Sequence, residues 1–419
     1  MRLEVRQFGE VVGWLDSTAD KGVIFQYDHA YARRPEARAL SFSLPLRETP
    51  FPQSQALPFF AGLLPDGDLR RRIADRLHIS EHSTIRLLEA LGGECAGTVS
   101  LLLVEPEAKT NEAPAEEYEE ISEERLAAMV HDRERLPLLI SGGGARLSLA
   151  GAQEKIPLFK QNDRWYRPLG SAPSSHILKP ASSTFPDIVT NEFICLKLAQ
   201  AFGLPVPEAE IVNVGVPVLV IERFDRVRKE GGSVARLHQE DFCQALGIMP
   251  DRKYQADGGP GFADLARVLR RAGTAPIHDI ELLIGIALFN LLIGNCDAHG
   301  KNFSLLYRGN SIGLSPFYDL VSTTQWPELD TKLSMRFGKE YKLEKITHSD
   351  LAIFADDLGV KATAVTGRLE SLLTAASDAW ELVFSLKNLE PDHDLIKRMR
   401  DGWEKRAARI LTKKEPIPD

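Results

Sequence analysis

The chain has 419 residues, and 51 Lys and Arg against 59 Asp and Glu leave a net charge of −8. At about 150 residues per domain this length predicts two or three domains, and 43% hydrophobic with 26% charged residues exclude a disordered or fibrous chain. Net acidity excludes a protein whose main task is to coat nucleic acid.

In chain order, residues 3–5 and 22–25 read as short strands, and residues 98–104 form an apolar run of strand length. Residues 57–65 are an apolar stretch punctuated by prolines. Asp66-Gly67-Asp68 then offers a helix start before residues 69–77. Arg70, Arg71, Arg72 and Arg76 make that helix basic, which reads as a solvated face. From Glu105 to Glu124 stand nine Glu and one Lys, so this block carries the whole excess of −8 and the rest of the chain balances. With Pro106 and Pro114 it predicts an exposed, partly helical linker.

Beyond the block, strand-like runs fall at 146–149, 156–159, 176–178 and 216–221, with one helix over 191–202 that stops at Gly203. From Gln239 the pattern is helical, over 263–271, 279–293, 362–377 and 395–411. The apolar run 282–294 contains Asn290 and falls short of a membrane span. Cys95, Cys195, Cys243 and Cys296 stand far apart, the pattern of reduced, buried thiols without a structural zinc. With no apolar core in Met1-Arg2-Leu3-Glu4-Val5-Arg6, a soluble cytoplasmic protein without a membrane partner is expected. Strands with one helix, then a mainly helical half, is the order of a two-lobed kinase-like domain.

Phosphoryl transfer needs a carboxylate that receives the substrate hydroxyl proton and oxygen ligands for Mg²⁺. The protein-kinase loop spaces them as Asp-x-x-x-x-Asn. Asp297 and Asn302 have that step in Asn295-Cys296-Asp297-Ala298-His299-Gly300-Lys301-Asn302-Phe303. Alone, the step also suits an ordinary turn after a helix. Its setting adds weight. Pro316-Phe317-Tyr318-Asp319 ends an apolar run on an acid, where a kinase carries its second metal-binding Asp. Ser175-His176-Ile177-Leu178-Lys179 sets a Lys at the end of another, suited to the α- and β-phosphates of ATP. Glu192 is either its ion-pair partner or a surface residue. Ser141-Gly142-Gly143-Gly144 and the small residues after Ser148 would let backbone N–H groups approach phosphate. A strand ending at Glu222, Arg223 and Phe224 would supply the hinge beside adenine.

These residues resemble the HipA-type toxin serine/threonine kinases of bacterial toxin–antitoxin pairs. The resemblance rests on Ser148-Leu149-Ala150-Gly151-Ala152-Gln153-Glu154-Lys155, His176-Ile177-Leu178-Lys179, Asn191-Glu192, Glu222-Arg223-Phe224-Asp225-Arg226 and Gln239-Glu240-Asp241. It continues through Asp257-Gly258-Gly259-Pro260-Gly261, the Asp297 to Phe303 loop and Pro316-Phe317-Tyr318-Asp319. Phe59-Phe60-Ala61-Gly62-Leu63-Leu64-Pro65-Asp66-Gly67 matches the family's N-terminal domain. Beyond the Asp319 region the match fades. It implies an α+β fold: a small N-terminal α/β domain over 1–104, an acidic linker over 105–135, a β-rich kinase-like N-lobe over 136–225 and a helical C-lobe over 226–419.

The resemblance further implies Asp297 as the proton acceptor, with Asn302 and Asp319 as Mg²⁺ ligands. It implies an ATP site made of Ala150, Gly151, Ala152, Gln153, Glu154 and Lys155 as phosphate loop, with Lys179 on the phosphates. Glu222, Arg223 and Phe224 would lie at the adenine, with His299, Gly300, Lys301 and Tyr318 near the nucleotide. Ser148 falls on the serine that such kinases autophosphorylate, a dianion that would compete for donors meant for ATP. The family's substrates are aminoacyl-tRNA synthetases, chiefly the glutamyl enzyme, whose modification arrests growth. Its partners are a helix-turn-helix antitoxin and, mainly through that antitoxin, operator DNA. Rival readings are a non-catalytic co-repressor that keeps the fold and a kinase of a small-molecule hydroxyl. Lys and Arg concentrated over 397–414 read as a solvated terminal helix, with phosphate contact as the rival; Lys339, Lys342 and Lys345 are a weaker candidate.

Overall fold

Leu3 and Val5, like Phe25 and Tyr27, flank a single polar residue, and these four side chains are buried together with Val12 and Leu15. In the computed structural model they form an antiparallel sheet of β1 (Arg2–Gln7), β2 (Glu10–Thr18), β3 (Gly22–Tyr27) and β4 (Val99–Leu103), in the order β3-β2-β1-β4. The structure describes residues 1–18, 22–93, 95–104, 116–131 and 155–411. Three helices, α1 (Gln53–Gly62), α2 (Gly67–Arg76) and α3 (Thr84–Leu91), share one apolar core with this sheet. The proline-punctuated stretch is therefore mostly helix, with Pro58 inside α1. Phe25 meets Phe60 at 5.3 Å and Tyr27 at 4.7 Å between ring centroids.

The chain divides into two compact units. One comprises Met1–Pro180, Val212–Asp251 and Ser304–Asn310; the other comprises Ala181–Ile211, Arg252–Phe303 and Ser311–Asp419. The division differs from the expected boundaries, since 1–104 and most of the β-rich region fall together.

Within the first unit, five strands of a second sheet run β5 (Glu116–Ile121), β7 (Arg164–Gly170), β6 (Ile156–Gln161), β8 (His176–Pro180) and β9 (Pro217–Glu222), each neighbouring pair antiparallel. The second half of the acidic block is thus an edge strand, followed by α4 (Glu123–His131), rather than linker. Its glutamates have cationic neighbours: Glu119 lies between Arg125 at 2.6 Å and Arg167 at 2.7 Å, and Glu120 is 3.1 Å from Arg164. Tyr118 packs on Phe159, and Ile121 joins Leu126, Met129 and Val130 in the core. Charges on an outer strand also discourage pairing with other chains.

Buried polar bonds explain why the N-terminal segment and this sheet form one unit. The strand β10 (His238–Asp241) pairs with β11 (Ser304–Arg308). The His238 imidazole meets Leu40 O at 2.8 Å through Nε2 and Thr98 Oγ1 at 3.0 Å through Nδ1. Glu240 accepts from Phe42 N at 2.9 Å, from Ser41 Oγ and from Tyr307 OH. Asp225 accepts from Gly97 N at 2.8 Å and from Arg223, and it pairs with Arg226.

Two of these groups titrate in opposite senses. Burial pushes the Glu240 carboxyl up to about 7, against the bonds from Ser41, Tyr307 and Phe42, and it pushes His238 down to about 4. Glu240 stabilises the folded unit as the neutral acid, fully below pH 4.5, and that contribution fades as pH rises towards 7. His238 stabilises it as neutral imidazole, fully above pH 6.5, and that contribution fades as pH falls towards 4. In the wild type the two slopes offset each other. For Glu240→Gln, the unfolding free energy from urea titration is expected to rise by about 2 kcal/mol from pH 4.5 to 6.5 relative to wild type. Parallel curves for the two proteins would contradict this assignment.

The second unit is mainly helical: α5 (Ile188–Ala201), α6 (Phe262–Ala272), α7 (Pro276–Ile293), α8 (His348–Asp357), α9 (Ala362–Thr374), α10 (Ala376–Phe384) and α11 (His393–Leu411). One helix expected over 362–377 is two, broken at Ala375. Apolar on every side, α7 is an interior helix, packed by α6, α9 and α11 and buried from Leu283 to Ile293. Its 18 residues exceed the run expected from sequence, and among the described residues it alone is long and apolar enough to cross a membrane. Trp403 of α11 stacks on Phe202 at 5.1 Å and meets Phe289 of α7 at 6.0 Å. All four cysteines are buried, and none is in a disulfide.

The basic terminal helix spends much of its charge inside its own unit. Arg406 is buried and donates to Leu292 O at 2.7 Å, and Arg409 donates to Leu343 O at 2.7 Å. Lys397 pairs with Asp394 and Arg400 with Glu404. Lys413 and Lys414 lie outside the described residues, while Lys339, Lys342 and Lys345 are exposed.

Candidate active site

The apolar helix α7 stops at Gly294, whose φ of +78° is the left-handed conformation that ends helices. A side chain could not replace it, because a Cβ would stand 2.6 Å from Thr324 Oγ1 and 3.0 Å from Arg406 Cζ. The loop that follows is pinned from several elements. Asn295 donates to Asn290 Oδ1 at 3.1 Å and accepts from Asp297 N at 3.1 Å. Cys296 N donates to Thr323 Oγ1 at 2.9 Å, and Cys296 O accepts from Ser334 Oγ at 2.8 Å. Asn191 of α5 accepts from Ser322 N at 2.8 Å and donates to Ser322 O at 3.1 Å, fixing the segment beside it. These bonds leave the loop little freedom, as a preorganised site requires.

Within that frame the spaced residues converge. Asn302 Nδ2 donates to Asp319 Oδ2 at 3.3 Å, and Asn302 Oδ1 accepts from His299 N at 3.0 Å. Tyr318 OH donates to Lys301 O at 2.8 Å, tying the Asp319 segment to the loop. Asp319 sits at φ +53°, a left-handed conformation uncommon outside glycine and typical of constrained functional positions. Asp297 is exposed at the surface. The surrounding protein still desolvates its carboxyl and raises it above its ordinary range. Asp319 adds to the rise, while Lys253 and the bond from Tyr254 oppose it. His299 is driven well below its ordinary value by burial, then by Lys253 and Lys301, and among the described residues its Nδ1 has no hydrogen-bond partner.

Asn302 and Asp319 offer an amide oxygen and a carboxylate, hard donors of the kind Mg²⁺ takes. Two protein ligands suit that ion when phosphates and waters complete its shell. The pair supplies those donor types, with the Asn302 amide turned so that Nδ2 rather than Oδ1 faces Asp319.

The other expected residues lie in the first unit or outside the described residues. Lys179 is buried on β8, opposite Leu219. Glu222 ends β9 and is half-buried. Arg223, in the segment whose backbone is expected beside adenine, is buried. Its side chain points inward to Asp225 at 2.8 Å and to Ser174 Oγ at 2.8 Å, and its N–H donates to Ser175 O at 2.9 Å. Phe224 and Lys155 are half-buried, and Glu192 is buried in α5 rather than at the surface. Ser148, Ala150, Gly151, Ala152, Gln153 and Glu154 lie outside the described residues.

Sequence reading missed Lys253 and Tyr254. The Tyr254 hydroxyl donates to Asp297 Oδ1 at 3.0 Å, and its ring meets His299 at 5.4 Å. Neither residue lies in a motif of known spacing; the one signal nearby was the glycine run that follows them.

Two family models match the chain: the HipA N-terminal domain over residues 3–102 and the HipA-like C-terminal domain over residues 147–380. The serine/threonine-protein kinase toxin HipA of Shewanella oneidensis is 30% identical over 390 residues, which covers 90% of this chain and 88% of that protein. A protein of Sinorhizobium fredii named as a candidate kinase, Y4mE, is 38% identical over 373 residues, 88% of this chain and 89% of the relative. Among solved structures, the Shewanella oneidensis complex of HipA, HipB and operator DNA contains a chain that superposes with a TM-score of 0.81. Its identity is 27%, over 98% of this chain and 97% of that one. The α+β kinase-like fold expected from sequence is the fold the two share.

Proposed function

Because this chain belongs to the HipA family of toxin kinases, we propose that it is a Mg²⁺- and ATP-dependent serine/threonine protein kinase and the toxin of a toxin–antitoxin pair. The observation that carries this reading is the meeting of Asn302 with Asp319 at 3.3 Å, on the loop that presents Asp297. In this reading Asp297 accepts the proton of a serine or threonine hydroxyl as that oxygen bonds to the γ-phosphorus. The bond from phosphorus to the β–γ bridging oxygen breaks, and ADP leaves with the electron pair. Asn302 and Asp319 would hold Mg²⁺, which when bound neutralises phosphate charge. Lys179 would align the α- and β-phosphates, with Ala150 to Lys155 as their backbone cradle. Glu222 and Phe224 would flank the adenine.

The acceptor we propose is an aminoacyl-tRNA synthetase, the glutamyl enzyme first, in the cytoplasm. The name of the Shewanella relative supports a kinase toxin, and the solved complex supports a HipB-type helix-turn-helix antitoxin as partner. Operator DNA would then be reached mainly through that antitoxin. The inward use of Arg406 and Arg409 agrees with such an indirect contact. Phosphoproteomics after induced expression, wild type beside Asp297→Ala, tests the proposal. A synthetase modified only by the wild type supports it, and identical phosphoproteomes would exclude it.

Ser148 is in this reading the self-modified residue, and its phosphate would compete with ATP for the same donors. Phosphate incorporated into the Ser148→Ala chain during incubation with Mg²⁺ and radiolabelled ATP is expected to fall to background. Transfer to a second protein should persist. Undiminished self-labelling would remove the regulatory assignment.

A further inference from the structure

The run Asp257-Gly258-Gly259-Pro260-Gly261 has no place in the chemistry described so far. Gly258 has φ +90°, a conformation that favours glycine. A Cβ on Gly259 would stand 2.3 Å from Arg252 O and 2.7 Å from both Lys253 C and Tyr254 O. Only hydrogen at that position lets the turn lie directly on the backbone of residues 252–254. The amides of Asp257 and Gly259 both donate to Tyr254 O, at 3.0 and 2.9 Å. The turn therefore folds the chain back and fixes where Tyr254 stands.

Tyr254 stands against the loop at several points. Its hydroxyl donates to Asp297 Oδ1 at 3.0 Å, and its ring is edge-on to His299 at 5.4 Å. Gly300 N donates to Lys253 O at 3.4 Å, and Lys253 Nζ lies 5.2 Å from the centre of the Tyr254 ring. The pair Lys253-Tyr254 thus grips the loop at Asp297 and again at Gly300. A carboxylate held through one oxygen keeps its plane, and its second oxygen stays open to another donor.

We propose that Tyr254 is a positioning residue for proton acceptance: it holds Asp297 Oδ1 so that Oδ2 faces the acceptor hydroxyl, and the glycine turn at 257–261 delivers it there. The inference rests on Asp297 being the proton acceptor.

The test is steady-state phosphate transfer from Mg²⁺-ATP to casein, and to the chain itself, by the full chain and its variants. Tyr254→Phe is expected to lower kcat about 10- to 100-fold, with KM for ATP and the melting temperature unchanged. Gly259→Ala should reproduce the kcat loss by displacing the same backbone. Placed on Asp297→Asn, Tyr254→Phe should cost nothing further. An unchanged or raised kcat for Tyr254→Phe would overturn the inference, because the phenol would then merely cover the acceptor position. An equal loss on the Asp297→Asn background would overturn it too. If Asp297→Ala is inactive while Tyr254→Phe matches wild type, only this inference falls. If Asp297→Ala stays active, or the wild type transfers no phosphate, the kinase assignment falls and takes this one with it.

Discussion

Replacing Asp297 by alanine is expected to lower the rate of phosphate transfer by about 10³-fold. Alanine removes the carboxylate proposed to take the hydroxyl proton, yet it leaves in place the Asn302–Asp319 pair, which would hold the metal. The loss should therefore fall on kcat, with KM for ATP changed by no more than about 2- to 3-fold. Folding should be unaffected, since Asp297 is exposed and its side chain is bonded to the Tyr254 hydroxyl at the surface. Asp297→Asn tests the same point with shape retained, because the amide can accept the Tyr254 bond but is no base. Expression should separate the proteins as well: wild type arrests growth and the variant does not. A variant that kept more than a tenth of wild-type kcat would show that the proton goes elsewhere.

Asp225→Ala should instead act on stability, lowering it by about 3–5 kcal/mol. Asp225 is buried between Arg223 and Arg226, and Gln239 Nε2 donates to it at 2.9 Å. Burial alone would raise its carboxyl, but Arg223 and then Arg226 outweigh this and hold it well below the carboxylate range. Its contribution is accordingly present above the unfolded value of 3.8 and lost only as pH falls below it. Without Asp225 two guanidinium groups remain in the interior without their anion, and Gly97 N loses its acceptor. Urea denaturation of wild type, Asp225→Ala and Asp225→Asn should give the order wild type, Asn, Ala. A loss below about 1 kcal/mol, the range of exposed pairs, would mean that the network is not desolvated as its burial indicates.

Residues that act through local spacing were legible in the sequence. The loop from Asn295 to Phe303 follows an interior helix, and its Asp-to-Asn step, together with the acid that ends the run Pro316 to Asp319, named Asn302 and Asp319 as one site in expectation. The strand that carries Lys179 and the helix that stops before Gly203 were read in place, because an apolar run and a terminal glycine are local signals. The edge strand at 116–121 was not legible. Its glutamates read as solvated charge until Arg125, Arg164 and Arg167 arrive from elsewhere in the chain. Tyr254 was invisible for a related reason: its meaning comes from a turn that brings it across to Asp297. The buried Asp225 cluster likewise depends on Gly97 and Ser174, which no periodicity connects to it.

The dependence of the loop at Asp297 on α11 also bears on how the protein is made. Arg406 reaches back to the last turn of α7 and places a cation at the negative end of that helix. The frame around Asp297 thus draws on residues from Asn191 to Arg406, most of the way along the second unit. A ribosome that has not yet released Arg406 holds a chain whose loop is still missing one of its supports. The loop's full set of supports is therefore assembled late, from segments that leave the ribosome far apart in time.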